Sequence, residues 1–332
     1  MTLYPWQQSI WQSLVRRHQT SGLPHALMFG GPEGTGKHPL CLFTATWLLC
    51  KNPADGPCGQ CHSCQLMAAG THPDFMLCQP EEDSRQIRID TIRRLNHFIY
   101  STPQISQCQV VILRPLEVMN LSAANALLKT LEEPPGESFL LLEAERPGSV
   151  LPTIRSRCQT ISLPLPSHDD AMRWLLEQGV AAEDAEVALK RNANEPLTAY
   201  DWITSELSGQ QNHWLEQLQQ WMQGSLPLQV IADPWSKQFA DVLAWWYDLS
   251  CDLMRAASGA PPELCRHGHL ATDLLHGVAA DTAKLITFLD KLQHLNAELM
   301  SGAAHHNKTL TIEVLLLEWR RMFTAPVGAS LS

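Results

Sequence analysis

The chain has 332 residues, a formal net charge of −10, 45% hydrophobic and 17% charged residues, and ten cysteines. That length exceeds one ordinary core and predicts two or three domains. The acidic balance argues against gripping nucleic acid by bulk electrostatics, and no apolar run reaches the ~20 residues a membrane span needs.

The opening Met1-Thr2-Leu3-Tyr4-Pro5-Trp6 lacks the basic start and apolar stretch of a signal peptide, so a cytoplasmic location is expected. In that setting the cysteines read as free thiols and metal ligands rather than disulfides. Ile10, Trp11, Leu14 and Val15 recur at helical spacing and predict an amphipathic helix over 7–19, ended by Gly22 and Pro24. His25 to Phe29 reads as a short buried strand. It runs into Gly30-Gly31-Pro32-Glu33-Gly34-Thr35-Gly36-Lys37-His38, a phosphate-loop pattern in strand-loop-helix context. Gly31, Gly34 and Gly36 would let backbone N–H groups cradle phosphate, and Lys37 would reach its outer oxygens. His38 stands where a Mg²⁺-binding Ser or Thr belongs, and imidazole is a poor ligand for that ion. The stretch reads either as a nucleotide site or as a vestigial glycine-rich turn, with Mg²⁺-dependent hydrolysis disfavoured.

A helix over about 40–49 ends at Cys50, followed by a Pro/Gly-rich loop and Cys58-Gly59-Gln60-Cys61-His62-Ser63-Cys64. Cysteines spaced this closely do not pair among themselves without strain. With Cys50 they can converge on one tetrahedral ion. Structural zinc at Cys50, Cys58, Cys61 and Cys64 is expected, with His62 as an alternative ligand and four reduced thiols as the metal-free alternative. Gly70-Thr71-His72-Pro73-Asp74 leads into strand Phe75–Cys78, and His72 is expected to be a turn residue. Glu81 to Arg88 reads as a loop, and Ile89 to Tyr100 as a helix capped by Asp90.

Val110 to Leu113, a helix from Ser122 to Glu133 stopped by Pro134-Pro135, and Phe139 to Leu142 make strand, helix, strand: a βαβ unit of a parallel sheet. A P-loop ATPase places a carboxylate just past such a strand to hold Mg²⁺. Here that place holds Arg114 and Pro115, and Glu117 farther on reads as a helix N-terminal acid. A strand over Thr160 to Leu163 and the prolines Pro164 and Pro166 close the sheet domain. Ser167 is expected to cap the next helix, with another through 181–191. From Gly209 onward the pattern is helical, with stripes such as Trp214, Leu218 and Trp221 or Phe239, Val242, Leu243 and Trp246 facing a core. The last helix is expected over 310–323, and residues after Thr324 are expected to fray.

Four stretches carry a resemblance: Cys50 with Cys58-x-x-Cys61-x-x-Cys64; Gly70 to Asp74; Asn125-Ala126-Leu127-Leu128-Lys129-Thr130-Leu131-Glu132-Glu133-Pro134-Pro135; and Thr153-Ile154-Arg155-Ser156-Arg157-Cys158. On these the chain resembles the AAA+ clamp-loader family of bacterial DNA polymerase III, in motif terms over roughly the first 200 residues. The resemblance implies an AAA+ P-loop domain over 1–163 with the zinc module at 50–64, a small helical lid over 164–207, and an all-helical oligomerisation collar over 208–332. It also implies a replication role within a polymerase holoenzyme, the tau/gamma and delta subunits as partners, and the sliding clamp and primed DNA reached through the assembled ring. Arg114, Pro115 and His38 depart from the ATP-hydrolysing pattern, and no sensing arginine stands near Leu197. These losses favour a member that hydrolyses nothing itself and presents Arg157 to a neighbour's ATP, with Arg155 as the decoy. The alternatives are a hydrolysing tau/gamma-type subunit or an independent P-loop ATPase. A nucleic-acid-binding zinc module is a further one, but its loop offers only Lys51 as a basic residue and no aromatic.

Overall fold

A computed structural model of the chain describes residues 2–81, 86–205, 207–261, 265, 279–301 and 307–324. The middle of the loop expected over 81–88 and the tail after Thr324 lie outside these residues. Two compact units emerge, Met1–Val180 with Asn194–Thr198, and Ala181–Ala193 with Ala199–Ser332.

The first unit is built on a five-stranded sheet. Its strands are β1 (Ala26–Gly30), β2 (Phe75–Cys78), β3 (Gln109–Leu113), β4 (Ser138–Ala144) and β5 (Gln159–Ser162), in the order β2-β3-β4-β1-β5 with every neighbouring pair parallel. Central strands of a parallel sheet are buried on both faces, which is why β1 and β3 read as unbroken apolar runs. Alternation then divides the side chains. Met28, Val111, Leu113, Leu140 and Leu142 face one core with α4 (Ile89–Ile99) and α5 (Leu121–Glu132). Leu27, Phe29, Val110, Ile112 and Leu141 face the other with α1 (Gln8–Ser21) and α2 (Lys37–Leu49). Each fully buried leucine contributes roughly 2 kcal/mol of transfer free energy.

The βαβ reading of 109–144 holds, with β3 and β4 paired in register from Gln109 opposite Ser138 and α5 as the crossover. Asn120 caps α5 by accepting the Ala123 N–H, and Ser167 caps α7 (His168–Glu177). Helix α3 (His62–Ala68) begins after Cys61, which caps it, and carries Cys64. Asp90 is not a cap. Arg88 holds that position without a side-chain bond, and Asp90 lies in the first turn, where its charge suits the helix N-terminus. Ile87, placed in a loop by its polar neighbours, is fully buried and bridges to Met119.

The second unit is helical, and its helices α10 (Leu207–Met222), α11 (Leu228–Lys237), α12 (Phe239–Ala257), α13 (Thr282–Ser301) and α14 (Lys308–Met322) surround one core. The expected stripes meet there: Trp214, Leu218, Trp221, Phe239, Val242, Leu243 and Trp246 are all buried. Among the described residues, the helical pattern hid one exception, a two-residue antiparallel pair between β6 (Ala279–Ala280) and β7 (Phe323–Thr324).

Candidate functional site: a phosphate-loop corner, four cysteines and an exposed arginine

The loop after β1 makes the turn its glycines allow. Gly34 and Gly36 sit at φ +71° and +80°, a region that side chains with a Cβ rarely enter. The space beside each glycine is filled by the chain itself. A Cβ on Gly31 would strike the Leu163 carbonyl, one on Gly34 would meet Thr198 and Glu195, and one on Gly36 would meet Gln7 and Tyr4. Gln7 Nε2 donates to the carbonyls of Thr35 and Gly36 at 3.0 and 2.8 Å, and Trp6 Nε1 donates to Thr35 at 2.9 Å. Tyr4 stacks on Trp6, and both rings meet Trp174 edge-on. Lys37 turns back onto its own loop, donating from Nζ to the Pro32 carbonyl at 2.6 Å. Burial lowers its pKa against the pull of Glu145, Glu143, Glu33 and Glu117. At Leu197, near the place of a sensing arginine in the ATP-hydrolysing pattern, the backbone N–H reaches the Gly34 carbonyl at 3.3 Å.

One corner of this loop has a charge arrangement of its own. His38 Nδ1 is 2.7 Å from Glu143 Oε1, and Arg114 Nε is 3.6 Å from Glu143 Oε2. Both oxygens of a nearly buried carboxylate thus face cationic or N–H-bearing side chains. An arginine beside that carboxylate opposes a divalent cation in the same place. Glu143 was missed in the sequence reading, although a lone acid closing the apolar run Phe139 to Leu142 was a visible signal. Glu117 lies in the first turn of a short 3₁₀ helix, Leu116–Val118, as expected of a helix N-terminal acid, and is half-buried there. Its Oε1 accepts the Arg146 N–H at 2.7 Å, while Oε2 is buried with no hydrogen-bond partner.

The four cysteines converge. Their sulfurs all lie within 4.8 Å of one another, with Cys50–Cys61 at 3.9 Å and Cys58–Cys64 at 4.0 Å. A tetrahedral ion with metal–sulfur bonds of about 2.3 Å needs sulfurs about 3.8 Å apart, so the donor set fits a thiolate-binding metal. Against the upward push of burial, the N–H groups of Cys64 and Lys51 bring Cys61 down to about 6, whereas burial pushes Cys64 up to about 12. The intervening loop is tied down by Trp11 Nε1 to the Asp55 carbonyl at 2.6 Å and Trp47 Nε1 to the Ala54 carbonyl at 2.9 Å. His62 is outside the cluster.

His72 opens the turn expected of it, its carbonyl accepting the Phe75 N–H at 3.2 Å, and it is buried with both nitrogens used. Asp74 N–H donates to Nδ1 at 3.1 Å. Nε2 is 2.6 Å from Ser63 Oγ, whose own proton goes to the Leu49 carbonyl at 2.6 Å. That chain of donors requires neutral imidazole protonated at Nε2. The Asp74 carboxylate turns the other way and accepts the N–H groups of Gln104, Ile105 and Ser106 at 2.6, 2.8 and 2.7 Å. The group therefore ties the cysteine loop to the sheet and is no nucleophilic triad. Burial lowers the His72 pKa, only partly opposed by Asp74. A proton on Nδ1 would displace the Asp74 N–H, so this contribution is whole above about 6.5, the unfolded imidazole value, and is lost as pH falls toward the lower folded one. Denaturant titrations in acid and at neutral pH should show wild type losing more stability than His72→Gln; equal losses would refute it.

Arg157 lies between the short helix α6 (Pro152–Arg155) and β5. Because β5 runs parallel to β1, with Leu27 opposite Gln159 and Gly30 opposite Ser162, the arginine and the phosphate loop occupy opposite ends of the sheet. Four residues of strand separate these ends by roughly 13 Å. Arg157 donates from Nε to Glu132 Oε1 at 2.7 Å, from Nη2 to the same oxygen, and from Nη1 to the Thr153 carbonyl at 2.7 Å. Arg155 is exposed and donates to the Pro147 carbonyl at 3.4 Å.

Among the described residues, no helix is long and apolar enough to cross a membrane. Residues 6–167 match the family described as DNA polymerase III, delta subunit. DNA polymerase III subunit delta' of Pseudomonas aeruginosa is 35% identical over 322 residues, covering 96% of this chain and 97% of that one. The subunits of the same name from Yersinia pestis and Escherichia coli are 31% and 29% identical, each match covering 95% of both chains. A crystal structure of a DNA polymerase III gamma subunit-related protein from Thermotoga maritima overlays with a TM-score of 0.48 at 21% identity, covering 94% of this chain and 99% of that one. The chain belongs to the DNA polymerase III delta' subunit family.

Proposed function

We propose that this chain is a non-hydrolysing subunit of the DNA polymerase III clamp loader, which opens the sliding clamp and places it on primed DNA. Its partners in this reading are the tau/gamma and delta subunits, in the cytoplasm. Residues 1–163 form the AAA+-like domain with a zinc module at 50–64, 164–207 a lid, and 208–332 the collar that joins the ring. The compact units divide within the second of these stretches, after Val180, with Asn194–Thr198 returning to the first unit.

The observation that carries the reading is the phosphate-loop corner. Gly31, Gly34 and Gly36 are packed against the chain's own atoms, Lys37 is bound to Pro32, and Glu143 is engaged by His38 and Arg114. Arg157 supplies an arginine finger to the ATP of a neighbouring subunit, a role supported by its position at the end of the sheet away from its own loop. Cys50, Cys58, Cys61 and Cys64 hold zinc as a closed structural site, since four thiolates leave no open position for chemistry.

The purified chain should therefore show no Mg²⁺-dependent ATP turnover above background. Arg114→Asp alone should not restore it, because His38 still engages Glu143 and Pro115 still follows. Turnover that disappears with Lys37→Ala would assign the chain to the hydrolysing subunits instead.

A further inference from the structure

Glu132 ends helix α5, and half of its side chain is exposed. It reaches across to Arg157 through a single oxygen, Oε1, which accepts from both Nε and Nη2. The Thr153 carbonyl takes one proton of Nη1. A guanidinium has five N–H donors. Three are taken by these bonds and a fourth, on Nη1, makes only a long bond to Ser156 Oγ at 3.5 Å, so Nη2 keeps one free N–H and Nη1 one that is weakly held.

This division of donors distinguishes a support from a lock. A carboxylate that locked an arginine would make two parallel bonds, one to each of its oxygens. Glu132 takes the Nε side with one oxygen and leaves a donor on each terminal nitrogen. The pair is also exposed, with side chains 32% and 50% accessible, and pairs of that kind hold with only about 0–1 kcal/mol. Such a bond orients a side chain without outbidding a phosphate for it. An arginine carries about 2 kcal/mol of rotamer entropy, and one already oriented loses less of it on meeting an anion. Topology places the two residues together, since α5 returns the chain to the start of β4 and Arg157 precedes the start of parallel β5.

We propose that Glu132 is the positioning residue of Arg157, holding its guanidinium by the Nε edge so that the two terminal nitrogens meet a phosphate oxygen presented by another subunit. The proposal rests on the reading of Arg157 as a finger acting in trans.

The test uses rings rebuilt from the partner ATPase subunits with wild type, Glu132→Ala, Glu132→Gln, Arg157→Ala or the Glu132→Ala/Arg157→Ala pair. Misplacing a reacting or stabilising group by an ångström costs up to about a hundredfold at the site it serves, so Glu132→Ala should remove about half or more of the turnover that Arg157→Ala removes. The KM for ATP should stay unchanged. Glu132→Gln keeps an Oε1 acceptor and should retain more turnover than Glu132→Ala. In the Arg157→Ala background, Glu132→Ala should subtract nothing further, which a role in folding would not predict. Turnover with Glu132→Ala equal to or above wild type, or a loss that persists without Arg157, overturns the positioning role alone. If Arg157→Ala itself leaves turnover intact, the finger and its positioning residue fall together.

Discussion

Rings rebuilt with Arg157→Ala are expected to assemble normally and lose the ATP turnover of one site. In the proposed role the guanidinium would supply charge that matters most in the transition state, when negative charge spreads over the transferred phosphoryl oxygens. Fingers of this kind are worth about 10³–10⁵ in turnover at the site they complete. A ring with several sites keeps the turnover of the others, so the whole-ring rate falls by one site's share and clamp loading falls with it. Assembly should survive because the second unit, which holds the proposed collar, has a core far from this loop in sequence. Arg155→Ala is the control. Its guanidinium has a long bond to Pro147 and should matter less. Equal turnover for wild type and Arg157→Ala, at equal assembly, would leave Arg157 a surface residue.

Cys61→Ser should have the largest effect on local structure. The purified chain should carry one zinc per molecule, and a closed four-thiolate site contributes on the order of 10 kcal/mol to local folding. Losing one sulfur leaves three ligands and opens a position, so the metal should be lost on mild chelation. Hydrogen exchange should then rise over Cys50 to Cys64, while amides of the second unit keep their protection. Full collapse of the loop is not expected, because Trp11 and Trp47 still hold the carbonyls of Asp55 and Ala54, and His72 still reaches Ser63. Metal analysis that finds no zinc in reducing buffer sinks the assignment.

The parallel sheet was legible because its central strands are buried on both faces, so that β1 and β3 are apolar runs punctuated by turn residues. The convergence of the cysteines was legible from spacing, since four thiols that cannot pair without strain have few other places to go. Glu132 and Glu143 were harder. An acid's partner lies far off in sequence, 25 residues away for Glu132 and 105 for Glu143, and no periodicity encodes it. The turn at His72 was legible from the proline after it, whereas the partners of its two nitrogens, Ser63 and the Asp74 N–H, were not. The aromatic clip of Tyr4 and Trp6 on the phosphate loop likewise joins residues about 30 apart. Glycines needed for nucleotide and glycines needed for close packing spell the same motif.

The ring-to-ring contacts of the second unit also govern what an optical experiment can see. Trp214, Trp235, Trp245, Trp246 and Trp319 form a run with neighbouring ring centres 5.3–5.6 Å apart. At that spacing excitation passes readily from ring to ring, so their emission should behave as one pooled signal. Trp202 and Trp221 belong to the same unit, leaving Trp6, Trp11, Trp47 and Trp174 in the first. Bulk tryptophan fluorescence is therefore chiefly a gauge of the helical unit's core. A chain whose phosphate loop or cysteine loop has come apart could still emit like the intact protein.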